Sequence, residues 1–372
     1  MNSTRATAFQ RLILPSLAFK AVIIGGGYAT GREFAEFFIP CGPLGGVLGI
    51  TLAAAVFSIV CAITFLFAWA TQSYDYRTFF RHLLGPGWVV FDISYLVFIL
   101  IVLSVYGAAA GEIGVALFRW PVVIGTLLFI LGIAGIVAFG NVAVERLFGY
   151  VTILIYAVYV AFIALALTKF GSAISTSFNL GVPPHGWIAN GLTYSGYQLL
   201  CAIVILPVTR HLGSAKDAVI AGALCGPIAM IPGMLYFLSM LAFYPQIGAA
   251  ALPSDYLLQR FHIPSFHYLF QLMLFCALLE SGTGTVHAIN ERVASRYQAR
   301  ATIGKRMRVI IAMTLLVLSI FVATKFGLVE LIAKGYRFFA YDFIAIYVIP
   351  LLTFGLWFTI RRLRSAPLET VS

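Results

Sequence analysis

Long, uninterrupted apolar runs recur along the whole chain and limit the folds that are open to it. Residues 45–71, for example, contain no charged side chain. A membrane-spanning helix needs about 20 apolar residues, because its backbone polar groups must be paired within the segment. Charged residues make up only 10% of the chain, against about 25% in soluble domains. The runs are continuous rather than alternating, which excludes a β-barrel. The sequence therefore predicts an all-α integral membrane protein.

About ten spans of suitable length can be placed along the 372 residues. They are predicted at 11–39, 45–71, 88–118, 121–140, 146–169, 187–209, 215–244, 265–295, 305–325 and 334–361. With the N-terminus inside, 16 lysine and arginine residues fall on the cytoplasmic side and 6 on the outer side. Positive charge collects in cytoplasmic loops, so this bias predicts that both termini are cytoplasmic. The net charge of +11 has the same origin and does not indicate nucleic-acid binding.

The first span contains a concentration of glycine. Residues 22–38 read VIIGGGYATGREFAEFF, with Gly25, Gly26 and Gly27 in succession and Gly31 one turn later. Each glycine weakens a helix by about 1 kcal/mol relative to alanine. One interpretation is a discontinuous helix whose free N–H groups bind an anionic substrate group beside a cavity. The other is close helix packing, because Gly27 and Gly31 form a GxxxG motif.

Two similar loops suggest an internal repeat. Asp75 and Tyr76 follow the second span, while Asp255 and Tyr256 follow the seventh, and each aspartate has a histidine seven positions after it. In the predicted topology these loops lie on opposite sides of the membrane. Many secondary transporters are built from such repeats of inverted topology.

The repeat divides one transmembrane domain, 1–372, into two five-helix halves. The first half is predicted at 11–169 and the second, inverted half at 187–361. A break in the first span then predicts a break at the corresponding place in the sixth. That place is the glycine- and hydroxyl-rich interval 190–198.

Two short stretches resemble a known family. Residues 27–33, Gly-Tyr-Ala-Thr-Gly-Arg-Glu, are similar to the first-helix signature of the YkvI-like membrane proteins. Residues 285–292, Thr-Val-His-Ala-Ile-Asn-Glu-Arg, also resemble that group. The group is regarded as a branch of the amino acid–polyamine–organocation superfamily. The resemblance implies a LeuT-type 5+5 fold with broken helices 1 and 6, located in the bacterial inner (plasma) membrane.

In that fold the substrate lies between the breaks of spans one and six, facing span three. The resemblance therefore implies a substrate site formed by Gly25, Gly26, Gly27, Tyr106, Tyr194, Ser195, Gly196 and Tyr197. Tyr106 can bond a substrate carboxylate or find a partner within the core. The same resemblance implies an ion site at the span-eight hydroxyls of Ser281, Thr283 and Thr285. Hydroxyl oxygens suit Na⁺, although intramembrane hydroxyls also commonly bond to their own helix.

Several further ionisable residues lie within or near the predicted bilayer, where function is the default hypothesis, and seven of them are candidates for a gate or a proton pathway. These gate or proton candidates are Lys20, Arg32, Glu33, Glu36, Glu112, Glu280 and His287. Arg32, Glu33 and Glu36 follow the predicted break, and we expect them to pair as an outer gate. His287 can carry a proton, because its charge changes near physiological pH, or it can donate to a carbonyl across a helix interface.

No sequence motif indicates an enzyme, a cofactor or a resident metal. The chain has no GxxxxGK[ST] and no HExxH, and Ser195 lacks the first glycine of GxSxG. The sequence therefore predicts a secondary active transporter of a small organic solute, an amino acid or related compound, working by alternating access. Na⁺ is favoured over H⁺ as the coupling ion. The alternatives are a proton-coupled exporter and a non-transporting membrane sensor or structural subunit. The expected partners are the substrate and the lipid bilayer, and the oligomeric state is left open.

Overall fold

The structure is a computed structural model that describes residues 7–139, 141–297 and 305–365, most of which are helical. Side chains are described in these ranges apart from 26, 137–153, 287–288, 290–312 and 365. Six described segments are long and apolar enough to cross a membrane. They are Pro43–Thr71, Tyr76–Phe118, Leu154–Phe178, Ala215–Leu241, Pro264–Val286 and Met313–Arg364. The prediction of an all-α membrane protein is thereby confirmed, whereas the count of ten crossing helices stays a prediction.

The α-helices follow one another with short connections. In chain order they are α1 (Leu14–Ile23), α2 (Gly26–Thr30), α3 (Arg32–Phe37), α4 (Pro43–Thr71), α5 (Tyr76–Leu84), α6 (Trp88–Phe118), α7 (Val122–Phe139), α8 (Asn141–Phe178), α9 (Trp187–Gln198), α10 (Leu200–Val204), α11 (Ala215–Leu241), α12 (Pro253–Phe261), α13 (Pro264–Tyr297), α14 (Lys305–Glu330), α15 (Arg337–Phe343) and α16 (Leu356–Ser365). Turns of 3₁₀- or π-helix join several of them, so that α15 and α16 belong to one nearly continuous helical stretch. Gly327, at φ 71° and ψ 170°, interrupts α14 in a conformation that favours glycine.

Large apolar side chains cover the outside of the described structure. Phe321 is 65% exposed and Phe338 is 66% exposed, and many leucines and valines on other helices are similarly uncovered. A water-soluble protein rarely exposes such extended apolar surface. In a bilayer these faces contact lipid tails, so the helices need no further protein to cover them.

The helices α4 and α11 pack closely against each other through small residues. A Cβ at Gly222 would overlap the backbone at Ala62, and one at Gly226 would overlap the carbonyl of Ala54. Ser58 Oγ donates to the carbonyl of Ala223 at 2.7 Å across the same interface. Between membrane helices such close backbone approach replaces the hydrophobic effect as the source of association.

The two Asp-Tyr loops form nine-residue helices at corresponding places in the chain. In α5 the Asp75 carboxylate caps the helix by accepting from the Thr78 N–H at 2.9 Å. In α12 the Asp255 carboxylate instead accepts from His267 Nε2 at 2.6 Å and from Gln271 Nε2 at 2.9 Å. The two helices match in position and length, but Asp75 caps its own helix whereas Asp255 bonds to side chains of α13.

The first span is divided into three short helices. The α1 helix ends at Ile23, and Ile24 (φ −72°, ψ 68°) lies outside the helical region. Gly25 is extended at φ −100° and ψ −168°, after which α2 begins. Gly31 then adopts φ 80°, a left-handed conformation that favours glycine and redirects the chain into α3. The backbone therefore changes direction twice between residues 24 and 31, once before α2 and once after it.

The sixth span differs from the prediction for it. The interval 190–198 is not unwound, because α9 is continuous from Trp187 to Gln198. A slight discontinuity follows at Leu199, whose φ of −61° and ψ of −18° stay within the right-handed helical region. The predicted break at 190–198 is therefore wrong. Its glycines, Gly191 and Gly196, instead allow the backbones of neighbouring helices to approach α9 closely.

Candidate functional site

A cavity of about 410 Å³ lies beside the interruption of the first span. Its wall is formed by the end of α1 with Ile24 and Gly25, by α6 and α8, by the junction of α9 with α10, and by α13. A cavity of this size is large enough for a drug-sized organic molecule. The cavity therefore meets the first requirement for a small-molecule site.

Glu33 places a carboxyl group in the wall of this cavity although its side chain is only 4% exposed. Gln198 Nε2 donates to Glu33 Oε2 at 2.9 Å. Tyr197 lies beside the same carboxyl, and its buried hydroxyl has no hydrogen bond of good geometry to any described residue. No described lysine, arginine or histidine nitrogen lies within 4.0 Å of Glu33. We expected Glu33 in an outer gate with Arg32, but it is a cavity carboxyl.

Two glycines of the run leave room for functional side chains. A Cβ at Gly25 would lie 2.6 Å from the Tyr106 hydroxyl, and a Cβ at Gly27 would overlap the Glu33 carboxyl. Tyr106 and Gly25 both line the cavity. Gly26 is the first residue of α2. Gly25 and Gly27 therefore leave space for the Tyr106 hydroxyl and the Glu33 carboxyl, and any larger residue would fill that space.

Aromatic rings make up much of the cavity wall. They are Tyr95, Phe98, Tyr106, Tyr156, Tyr197 and Tyr336. The ring centres of Tyr197 and Tyr336 are 4.6 Å apart, and those of Phe98 and Tyr336 are 5.7 Å apart. These three rings form a continuous aromatic surface next to Glu33, well suited to an apolar or cationic group.

The hydroxyls predicted for the ion site do not all reach the cavity. Ser281 and Thr285 line it together with Glu280. Thr285 Oγ1 donates to the carbonyl of Ser281 at 2.7 Å, so the competing interpretation of back-bonding holds for this hydroxyl. Thr283 is not in the wall, and its buried hydroxyl has no hydrogen-bond partner among the described residues.

The substrate residues predicted in the sixth span are mostly packing residues. Tyr194 is fully buried among the rings of Phe34, Phe37 and Phe38. Ser195 Oγ donates to the carbonyl of Gly191 at 2.8 Å, within its own helix. A Cβ at Gly196 would lie 2.7 Å from the carbonyl of Ala340 in α15. None of these three lines the cavity, because the unwinding that was expected to expose them does not occur.

Arg32 and Glu36 form a network that joins three parts of the fold. Arg32 Nη1 donates to the carbonyls of Gly248 at 2.7 Å and Ala250 at 3.0 Å. Its Nη2 donates to Glu36 Oε2 at 2.8 Å. Glu36 Oε1 lies 3.9 Å from Arg337, whose guanidinium is 5.6 Å from the Phe37 ring centre. The pairing expected between Arg32 and Glu36 is present, and it ties α3 to α15 and to the loop before α12.

The remaining ionisable candidates are dispersed. The ammonium of Lys20 lies 4.6 Å from the ring centre of Tyr156, at the edge of the cavity. Glu112 is half-buried in α6 away from the cavity wall. The side chain of His287 lies outside the described residues.

Sequence reasoning missed several residues of the wall. Gln198 is the last residue of the predicted interval 190–198 but was not named as a site residue, although its carboxamide is an uncommon group in a membrane helix and was a usable signal. Phe98 and Tyr336 come from α6 and from the turn before α15. Nothing in their local sequence distinguishes them from the many aromatic residues that face lipid. Only the packing of distant helices brings them to Glu33.

Comparison with known proteins places this architecture among membrane proteins. No protein-family profile matches the chain. It is 23% identical over 284 residues to the uncharacterized membrane protein YkvI of Bacillus subtilis (strain 168), covering 75% of the chain and 80% of YkvI. The resemblance to the YkvI-like membrane proteins is confirmed. The chain is also 24% identical over 357 residues to the uncharacterized protein YyaD of the same organism, covering 89% of the chain and 94% of YyaD.

Solved structures establish the fold. MhsT in complex with L-phenylalanine aligns with a TM-score of 0.61 at 14% identity, covering 98% of the chain and all of MhsT. A variant of the manganese transporter of Eremococcus coleocola aligns with a TM-score of 0.53 at 14% identity, covering 98% of the chain and 86% of the transporter. The fold is of the LeuT type, as the YkvI-like resemblance implied. The second of these structures is of a transporter, in agreement with the prediction of a non-enzyme.

Proposed function

We propose that this protein is a secondary active transporter of a small amino-bearing organic solute, an amino acid or related compound, and that the cavity beside Gly25 is its substrate site. The observation that supports the proposal best is the placement of Glu33. A carboxyl this deeply buried without a described cation is costly, and such intramembrane groups mark substrate or ion pathways. MhsT holds L-phenylalanine, and the aromatic wall of this cavity suits a solute of similar size.

The proposed topology is that of the sequence prediction. One transmembrane domain over 1–372 has ten crossing helices and inverted repeats at 11–169 and 187–361, with both termini in the bacterial cytoplasm. In this proposal the interruption after Ile23 is the break of the first half, and the slight discontinuity at Leu199 is its counterpart in the second half. They occur at corresponding places, on either side of the cavity.

Within this topology we infer an inward-facing state. The cavity lies against α10 and the C-terminal end of α1, which are the cytoplasmic halves of spans six and one. Towards the outside, the rings of Phe34, Phe38 and Tyr194 pack together, and the Arg32–Glu36 network closes over them. Alternating access then requires the aromatic cluster and this network to separate while the inner side closes.

Na⁺ is the proposed coupling ion. The α1 residues before the interruption and the hydroxyls of Ser281 and Thr285 line the same cavity. Carbonyl oxygens at a helix C-terminus lack intrahelical partners, and together with hydroxyls they form the hard-oxygen environment that suits Na⁺. No described lysine or arginine occupies this part of the wall.

The proposal is tested by solute uptake into proteoliposomes with and without an inward Na⁺ gradient, over a panel of amino acids and related amines. We expect Na⁺-dependent uptake of at least one solute. The Thr285→Ala variant should raise the Na⁺ concentration for half-maximal uptake several-fold. The control, Thr283→Ala, removes a hydroxyl that does not line the cavity and should leave it unchanged. Uptake of no panel solute under any gradient would refute the transporter assignment, and equal Na⁺ responses of the two variants would refute the ion site.

Proton coupling is the second candidate, and the observation that favours it is again Glu33. A buried carboxyl without a cation can be neutralised by a proton as well as by a ligand. In that case uptake or export follows a pH gradient, persists without Na⁺, and becomes independent of the gradient in Glu33→Gln. Gradient-driven transport with Na⁺ replaced by choline distinguishes the two couplings.

A further inference from the structure

Arginine side chains collect at the end of the molecule that carries α5 and α16. Arg77 and Arg81 lie one turn apart on α5, while Arg361, Arg362 and Arg364 are exposed on α16. We propose that this end of the protein binds the headgroup of an anionic phospholipid, with Arg77 and Arg81 as the main ligands of its phosphate. The inference concerns the surrounding membrane and does not depend on the proposed transport function.

The fold brings the two basic helices together on one end of α4. The apolar face of α5, which includes Phe79 and Leu83, is buried. The ring centre of Phe67 in α4 lies 5.1 Å from that of Phe79 and 6.2 Å from that of Phe358 in α16. A Cβ at Gly355 would lie 3.1 Å from a methyl group of Leu83. Since α16 continues for only about two turns beyond Phe358, the arginines of both helices lie near the same end of α4.

A single indole ring positions the two arginines of α5. The guanidinium carbons of Arg77 and Arg81 lie 5.5 Å and 4.9 Å from the ring centre of Trp88. This ring attracts both cations through its quadrupole, but like charges four residues apart on a helix repel each other. Nε and Nη2 of Arg77 are buried and have no hydrogen-bond acceptor among the described residues. A bound anion would relieve the repulsion and supply the missing acceptor oxygens.

The acidic residues nearest in sequence are engaged with other groups. The Asp75 carboxylate caps its own helix, and Asp92 Oδ1 accepts from the Tyr76 hydroxyl at 3.2 Å. No described aspartate or glutamate oxygen lies within 4.0 Å of a nitrogen of Arg77 or Arg81. The described part of the protein therefore provides this pair of cations with no counter-charge. Phosphate is a suitable anion, because the planar guanidinium fork matches its oxygens.

The apolar surface next to the arginines favours a lipid over a free phosphate. Val90 and Ile93 are exposed on α6 just after Trp88, and Trp357 and Ile360 are exposed on α16. The Arg361 guanidinium lies 5.5 Å from the Trp357 ring centre, so a basic group again lies beside an exposed aromatic side chain. Tryptophan is enriched at membrane–water interfaces, and basic clusters at the ends of membrane helices recognise anionic headgroups. Acyl tails would cover the apolar surface while the phosphate contacts the arginines.

Titration of the purified, delipidated full-length protein in dodecyl maltoside tests the proposal without any variant. The probes are dioleoylphosphatidylglycerol, which is anionic, dioleoylphosphatidylcholine, which has the same tails and no net charge, inorganic phosphate and poly-L-glutamate. Melting temperature and native mass spectrometry report binding. We expect phosphatidylglycerol to raise the melting temperature and to bind about five-fold or more tightly than phosphatidylcholine. Equal binding of the two lipids, or an equal rise in melting temperature with phosphate or poly-L-glutamate, would overturn the assignment.

The double variant Arg77→Gln/Arg81→Gln should lower the affinity for phosphatidylglycerol about ten-fold and leave that for phosphatidylcholine unchanged. The matched control is Arg260→Gln in α12, the corresponding nine-residue helix of the second half. Its guanidinium also lies over an aromatic ring, 3.4 Å from the centre of Tyr256, and donates to a carbonyl of its own helix. This control should bind phosphatidylglycerol like wild type.

The single variant Arg81→Gln changes an exposed side chain and keeps the test available if the double variant does not fold. It should lower the affinity for phosphatidylglycerol about five-fold. Wild-type affinity in the α5 variants, or an equal loss in Arg260→Gln, would overturn the proposed site.

Discussion

The first and sixth predicted spans both contain glycines together with aromatic and hydroxyl-bearing residues, but the two fold differently. In the first span the backbone leaves helical geometry at Ile24 and Gly25, and α2 restarts at Gly26. In the sixth, Gly191 and Gly196 lie inside the continuous helix α9. The first span supplies the cavity with a carboxyl, whereas most of α9 supplies packing.

What lies opposite each glycine explains this difference. Gly25 and Gly27 face the side chains of Tyr106 and Glu33, which reach into space that a Cβ would fill. Gly191 instead faces the backbone carbonyl of Gly49 in α4, at 2.8 Å from the position of a Cβ. A helix that packs backbone to backbone gains from staying regular, since its whole ridge must fit its neighbour. Glycine content therefore indicates that another group approaches the helix closely. Whether the helix is interrupted depends on whether that group is a side chain or the backbone of a neighbouring helix.

The strongest test of this comparison is Gly191→Leu. The added side chain meets the α4 backbone, which cannot rotate away as a side chain can, so we expect a loss of about 3 kcal/mol or more in unfolding free energy or failure to purify as a folded protein. The Gly171→Leu variant is the control, because a Cβ there meets nothing within 4 Å. Melting temperature in detergent compares the two. Equal stability would mean that α4 and α9 do not pack as described.

Gly25→Ala should produce an intermediate effect, on binding rather than on folding. The new Cβ lies 2.6 Å from the Tyr106 hydroxyl, at the movable end of a side chain, so the ring shifts into the cavity. We expect roughly ten-fold weaker solute binding, or about 1.4 kcal/mol, with little change in melting temperature. The double variant Gly25→Ala/Tyr106→Phe removes the clashing hydroxyl and should recover most of the affinity. No recovery would show that Gly25 matters through backbone conformation instead.

Ser195→Ala should have the smallest effect. Among the described residues the Ser195 hydroxyl bonds to the carbonyl of Gly191 alone, in its own helix, and Ser195 does not line the cavity. We expect a stability change below about 1 kcal/mol and unaltered solute binding and uptake. A drop in affinity as large as that of Gly25→Ala would restore the substrate role that the sequence predicted for this serine and contradict the comparison between the two spans.

Much of the architecture could be predicted from the sequence because the membrane makes local composition decisive. Apolar runs of sufficient length must be helical, so the bounds of α4 and α6 lie within two residues of the predicted spans. The interruption near Gly25 was also predicted, although the competing explanation of close packing applies to the same glycines. The predicted break at 190–198 was wrong, because the neighbouring backbones of Gly49 and Ala340 are not visible in the local sequence.

The sequence by itself determined that this protein lies in a membrane, that it is helical, and that its first span has an unusual concentration of glycine. Those properties follow from hydrophobicity and glycine content, which act over a few residues. Only the tertiary structure decided that Glu33 belongs to a cavity and not to the network of Arg32 and Glu36, next to it in sequence. The turn at Gly31 and the arrival of Gln198 and Tyr336 from distant helices set that environment. A side chain's charge partners depend on the packing of separate helices, and no local pattern specifies that packing.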